Sequence, residues 1–124
     1  MDQALQKEIQ EKQLVSVLNN TKWGELVKKI EHLGSFGPKC SIHYFFDPRS
    51  PYGFSYIRWQ EFLQDCEYVQ YLLLQCEKNI PELRFESLKQ ILKDTNIPFS
   101  LDGENIKIWG YYSSSERPDF FIEE

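Results

Sequence analysis

The sequence predicts an α+β domain: a mainly antiparallel sheet with helices packed on one face, in the order α-α-β-β-β-α-β-β. Three observations carry that expectation. Trp23, Leu26, Val27, Ile30 and Leu33 recur at the spacing of a helix with one apolar stripe. Cys40 to Phe46 is a run of β-branched and aromatic residues suited to a strand. Near the C-terminus, Asp102-Gly103 stands between alternating apolar residues, which favours a tight hairpin. With 124 residues, 41% of them hydrophobic, residues 1–124 read as a single domain, long enough to bury roughly two thirds of the unfolded chain's surface.

Taken in order, residues 2–18 read as a helix carrying Leu5, Ile9, Leu14, Val17 and Leu18 among good helix formers. Asn19-Asn20-Thr21 supplies caps for a second helix over about 22–33, which Gly34 and Gly37-Pro38 end. The first strand follows at Cys40–Phe46, with Cys40, Ile42, Tyr44 and Phe46 expected on one face. Asp47 to Gly53 holds two prolines and a glycine and reads as a loop. Phe54–Trp59 then pairs back as the second strand of a hairpin with a broad tip. Residues 60–75 admit either helix or strand; Val69, Tyr71 and Leu73 favour a strand over 67–74. Phe85, Leu88, Ile91 and Leu92 mark a third helix over about 84–95, ended before Pro98. A hairpin of residues 99–101 and 106–109 closes the sheet. Ser113 to Pro118 reads as a polar linker and residues 119–124 as an acidic tail with an aromatic centre.

The net charge of −5 is unevenly distributed. Glu61, Asp65, Glu67, Glu77 and Glu82 face Lys78 alone within residues 61–82, and Glu116, Asp119, Glu123 and Glu124 face Arg117 alone within 113–124. Such a field attracts a basic partner and repels phosphate backbones and anionic lipid, so neither nucleic acid nor membrane is the expected partner. No apolar run approaches the ~20 residues of a spanning helix. The N-terminus lacks the basic start and apolar stretch of a secretion signal, which makes a cytoplasmic setting the expectation. Cys40, Cys66 and Cys76 cannot all pair within one chain and form no C-x-x-C unit, so they read as reduced, buried thiols.

Signatures of catalysis fare poorly. Cys40 and His43 have a metal-like spacing, but residues three apart on a strand point to opposite faces. Glu61 and Asp65 would stand one turn apart on a helix, where a solvated face explains them better than an acid/base dyad. Ser113-Ser114-Ser115 has no neighbouring base, and the glycines stand singly, without a phosphate cradle. No cofactor is expected. Three groups remain as partner-binding candidates: Glu61, Asp65 and Glu67 of the acidic stretch; Asp47, Arg49 and Tyr52 on the proline-stiffened loop; and Asp119, Phe120, Phe121, Glu123 and Glu124 of the tail. Arginine and tyrosine on a stiff loop suit recognition because little entropy is lost on docking.

Asn19-Asn20-Thr21-Lys22-Trp23-Gly24-Glu25-Leu26, with Ile97-Pro98-Phe99 and Ile106-Lys107-Ile108-Trp109-Gly110-Tyr111, resembles a family of small uncharacterised bacterial proteins. The matching motifs cover the second helix and the last hairpin and carry no catalytic residue. In size, charge and aromatic content the chain also resembles immunity proteins that neutralise a sister cell's toxin. That resemblance implies a non-catalytic protein that docks a basic toxin, such as a nuclease, through its acidic surface. The competing expectation is an adaptor that holds another protein through a sheet edge or the tail; an enzyme of unfamiliar type ranks third.

Overall fold

In the computed structural model, which describes residues 2–33 and 37–122, the Asp2 carboxylate opens helix α1 (Gln3–Glu11) by accepting from the Ala4 and Leu5 amides at 2.7 and 3.3 Å. The helix stops well short of residue 18. Leu5 and Ile9 have no apolar successor at Lys12 or Gln13, and Gln13 takes a φ of 51°. The chain then extends as β1 (Leu14–Ser16), which pairs antiparallel with β6 (Tyr111–Ser113) at the far end of the sequence. Helix α2 (Asn20–Glu31) forms as its periodicity demands: Asn19 Oδ1 accepts from the Lys22 amide at 2.9 Å, and Trp23, Leu26, Val27 and Ile30 are buried. The helix end expected at Gly34, like Glu123 and Glu124, lies outside the described residues.

Strand β2 (Cys40–Tyr44) forms where expected, but its hairpin partner does not. Residues 54–58 touch β2 at one point, where the Cys40 and Ser55 amides exchange hydrogen bonds of 2.8 and 3.0 Å. From Trp59 the chain turns helical as α3 (Trp59–Gln64). The reason is packing: Trp59 and Phe62, three apart, share a helical face, and the Phe62 ring meets Trp23 edge-on at 5.2 Å and Trp59 at 5.7 Å. A 3₁₀ turn (Cys66–Tyr68) leads into β3 (Val69–Leu74), so residues 60–75 hold both a helix and a strand. A second 3₁₀ turn (Pro81–Leu83) precedes α4 (Phe85–Asp94), and β4 (Ser100–Asp102) and β5 (Asn105–Trp109) make the C-terminal hairpin. Its loop is Gly103-Glu104, one residue later than Asp102-Gly103, because Gly103 takes the positive φ (62°) at the first loop position.

Four strands form an antiparallel sheet in the order β2-β3-β5-β4, and β1-β6 form a second, two-stranded sheet. The observed order is therefore α-β-α-β-α-β-α-β-β-β, an α+β fold. Cys40, Ile42, Leu72, Leu74, Ile106 and Ile108 line the inner face of the larger sheet. They share one buried cluster with Trp23, Leu26, Ile30, Phe62, Leu88 and Leu92 of α2, α3 and α4. Each such side chain contributes about 1.5–3 kcal/mol through burial. The opposite face carries His43, stacked on Tyr71 at 5.0 Å, and Lys107, whose ammonium lies 4.1 and 4.2 Å from the Tyr71 and Trp109 ring centres.

Gly110 joins β5 to β6 where the chain passes over the start of β3. Its amide donates to the Gln70 carbonyl at 2.8 Å, its carbonyl accepts from Val17 at 2.8 Å, and a β-carbon here would stand 2.1 Å from the Val69 oxygen. The stretch read as a linker starts within this structure, since Ser113 pairs with Leu14 and the Ser114 amide donates to Gln13. Beyond the turn the chain folds back on its own body. Phe120 bridges to Ser100 on the β4 edge, and Phe121 stacks on Phe99 at 5.1 Å and meets Phe85 at 5.7 Å.

Candidate functional site

A surface cleft of about 290 Å³ lies where β2 runs out into the 47–52 loop, lined by Tyr44, Phe46, Asp47, Asp65 and Tyr68. Its walls come from two neighbouring segments. The pairing of β2 with β3 skips Gln70, with His43 opposite Tyr71 and Tyr44 opposite Val69, and beyond that bulge the Phe45 amide still reaches the Tyr68 carbonyl at 3.0 Å. Tyr44 and Phe46 thus end beside Tyr68 of the 3₁₀ turn. The Phe46 and Tyr68 rings stand 6.1 Å apart with their planes at 65°. Phe46, expected to share a strand face with Cys40, Ile42 and Tyr44, lies past the strand's end and is 48% exposed.

The loop that supplies Asp47 is tied down from within. The Asp47 carboxylate accepts from the Arg49 amide at 3.0 Å, from Arg49 Nε at 3.1 Å and Nη2 at 3.3 Å, and from the Tyr52 hydroxyl. These donors, Arg49 first and then Tyr52, hold its carboxyl down at about 2. The Ser50 hydroxyl accepts from the Tyr44 amide at 3.1 Å and reaches the Asp47 carbonyl at 2.8 Å, while the Ser41 hydroxyl donates to the Tyr52 carbonyl. Across the cleft, the Tyr68 hydroxyl donates to Asp2 Oδ2 at 3.0 Å, which lowers the Asp2 pKa and raises that of Tyr68. Burial, then the charge of Asp65, pushes the Tyr44 phenol up to about 12. Asp65 itself makes no ion pair among the described residues.

The candidates from the sequence are only partly united. Asp47, Arg49 and Tyr52 form one hydrogen-bonded group, and Asp65 shares the cleft with Asp47. Glu67 sits on the same 3₁₀ turn, half-buried, and its charge raises the pKa of Tyr68 and Tyr111. Glu61 points elsewhere on α3 and pairs with Arg58 at 3.3 Å. Asp119, Phe120 and Phe121 line a separate groove of about 580 Å³ over Ser100, Lys107 and Trp109, and Phe121 is spent on the domain's own core. The residue pattern did not mark Tyr44, Phe46, Tyr68 or Asp2 as site residues. The first two were read as sharing one strand face with Cys40 and Ile42; Tyr44 stays partly buried against the core, while Phe46, past the end of β2, is exposed.

No group of three or more His, Cys, Asp or Glu placed to hold a metal occurs among the described residues, and none of the described helices is long and apolar enough to cross a membrane. Fold and surface together define a small α+β domain with an acidic, aromatic cleft. The chain belongs to DUF6678, a family of unknown function, whose model matches residues 5–115. No curated protein and no solved structure matches it.

Proposed function

We propose that this chain is a non-catalytic, cytoplasmic protein-binding module that docks a basic protein on the face around the Asp47–Asp65 cleft, and that it serves as an immunity protein against a cognate toxin. The observation that carries the reading is the convergence of Asp47 and Asp65 on one exposed aromatic cleft, with Asp2 hydrogen-bonded to its Tyr68 wall. Exposed aromatic rings supply contact area and the carboxylates supply complementarity to a cationic surface such as the phosphate-gripping face of a nuclease. The net charge of −5 adds long-range attraction.

An adaptor that works through a sheet edge or the tail finds less support. Each outer strand of the larger sheet already has a neighbour, Ser55 at Cys40 and Phe120 at Ser100, and the tail packs on Phe85 and Phe99. The test is co-expression with the product of the adjacent gene. Rescue of growth is expected, with a purified complex whose association rate falls roughly tenfold or more between low and high salt. Survival of toxin-expressing cells without this protein, or no complex at low salt, would refute the reading.

A further inference from the structure

We propose that the cleft beside Phe46 and Tyr68 is a receptor for one guanidinium side chain, an arginine projected by the docking partner and neutralised by Asp65. The inference rests on the docking reading above and names the anchor at its centre. Size gives the first argument: about 290 Å³ falls at the lower limit of the roughly 300–1,000 Å³ of small-molecule pockets, which suits a single side chain. Charge gives the second. An anion is repelled by Asp65, and an apolar group would strip water from that carboxylate, which has no cation of its own among the described residues, whereas Asp47 is already paired with Arg49.

The walls then select among cations. Phe46 and Tyr68 line the cleft and meet each other at 6.1 Å with their planes at 65°, which puts aromatic rings, whose quadrupoles attract positive charge, beside Asp65. A guanidinium is planar, weakly hydrated and forked, so it stacks on a ring while donating through two N–H groups to one carboxylate, which a compact ammonium does less well. The protein already makes this combination within its own loop. Arg49 donates to both oxygens of Asp47 through Nε and Nη2 and stands 5.8 Å from the Tyr52 ring centre. An incoming arginine repeats that chemistry on Phe46, Tyr68 and Asp65, one wall away.

The experiment is a two-dimensional NMR titration of the full chain with Nα-acetyl-arginine amide, against Nα-acetyl-citrulline amide and tetramethylammonium. Saturable shifts confined to Tyr44, Phe46, Asp65 and Tyr68 are expected with the arginine probe alone. Phe46→Ala and Asp65→Asn, both at exposed positions, should each weaken binding by roughly two- to fivefold, the loss of one exposed cation–π or ion-pair contact. Unchanged spectra elsewhere verify their fold. Equal shifts with citrulline, shifts spread without saturation over all carboxylates, or tighter binding of tetramethylammonium would overturn the assignment. The two readings separate cleanly in complex formation. A salt-sensitive complex with a basic protein that ignores both substitutions removes the guanidinium site and leaves the docking face. Arginine binding in the cleft without any basic protein partner removes the docking face and leaves the site.

Discussion

Gly110→Ala should be strongly destabilising, because among the described glycines a β-carbon at Gly110 makes the shortest contact. Gly110 does not have a positive φ, so the constraint is one of space. Its β-carbon would stand 2.1 Å from the Val69 carbonyl oxygen, roughly 1 Å short of the separation of about 3.3 Å at which carbon meets a carbonyl oxygen. A backbone oxygen inside a paired strand cannot swing away as a side chain does, so the crossing of β6 over β3 must open. That movement strains two 2.8 Å hydrogen bonds, Gly110 to Gln70 and Val17 to Gly110. Each such bond costs about 1–3 kcal/mol if a buried partner is left unmade, and overpacking adds about 1–3 kcal/mol. The expected loss is about 3–9 kcal/mol if both bonds break, against a total stability of roughly 5–15 kcal/mol for a domain. Urea unfolding at equilibrium measures it. Gly24→Ala is the internal control: Gly24 lies inside α2 with nothing within 4 Å of its β-carbon position, and alanine there should stabilise by about 0.5–1 kcal/mol. A Gly110→Ala protein within about 0.5 kcal/mol of the parent would show that the strand crossing is not held by contact, and the reasoning would fail.

Two further outcomes follow from the tail and the loop. Phe121 is half-buried between Phe85 and Phe99, so Phe121→Ala should cost about half of the ~3–5 kcal/mol of a fully buried phenylalanine. It should also speed hydrogen exchange at the Phe121 amide, which donates to the Phe99 carbonyl at 2.7 Å; unchanged exchange would contradict the docked tail. For Asp47, the carboxyl ordinarily titrates at 3.8 and is lowered to about 2 in the folded chain. A depressed carboxyl stabilises the fold above its unfolded value, so this contribution is intact above pH 3.8 and is lost as pH falls from there through about 2. NMR titration of the Asp47 carboxyl should give that low midpoint, and Arg49→Ala should raise it more than Tyr52→Phe. A midpoint at the ordinary value would show that the loop contacts do not persist in solution.

The parts of the fold that were legible are those whose cause is local. The stripe of α2, the stripe of α4 and the glycine-centred hairpin of β4 and β5 each carry their own periodicity or turn chemistry, and each formed. The failures share a different cause. Leu14-Val15-Ser16 becomes a strand because Tyr111–Ser113 arrives beside it, and no pattern in either segment announces the other. Phe54–Trp59 has strand-forming letters, yet Trp59 is drawn into a helix with Phe62 by the Trp23 ring, a contact across the chain. Candidate residues followed the same rule. Asp47, Arg49 and Tyr52 are close in sequence and were recognisable as a unit, whereas the pairing of Asp47 with Asp65 and the outward turn of Phe46 depend on the register skip at Gln70.

Acidity along the sequence and acidity on the surface are therefore different quantities. The two carboxylate-rich stretches do not add up to one field: Glu61 is matched by Arg58, and Glu77 lines a cavity of about 450 Å³ together with Lys78 and Arg84. Asp119 faces a groove that contains Lys107. In the cleft Asp65 makes no ion pair among the described residues, while Asp47 is matched by Arg49, and the adjoining aromatic wall is held by a loop that Ser50, Asp47 and Tyr52 fasten to β2. Fixing that wall before a partner arrives removes part of the ordering cost of association, typically about 0.5–1.5 kcal/mol for each mobile side chain immobilised. A single unpaired carboxylate on a stiff aromatic frame can thus count for more than carboxylates spread over solvated helices. Selectivity in such a face comes from the shape of the cleft, while the net charge governs how fast partners reach it.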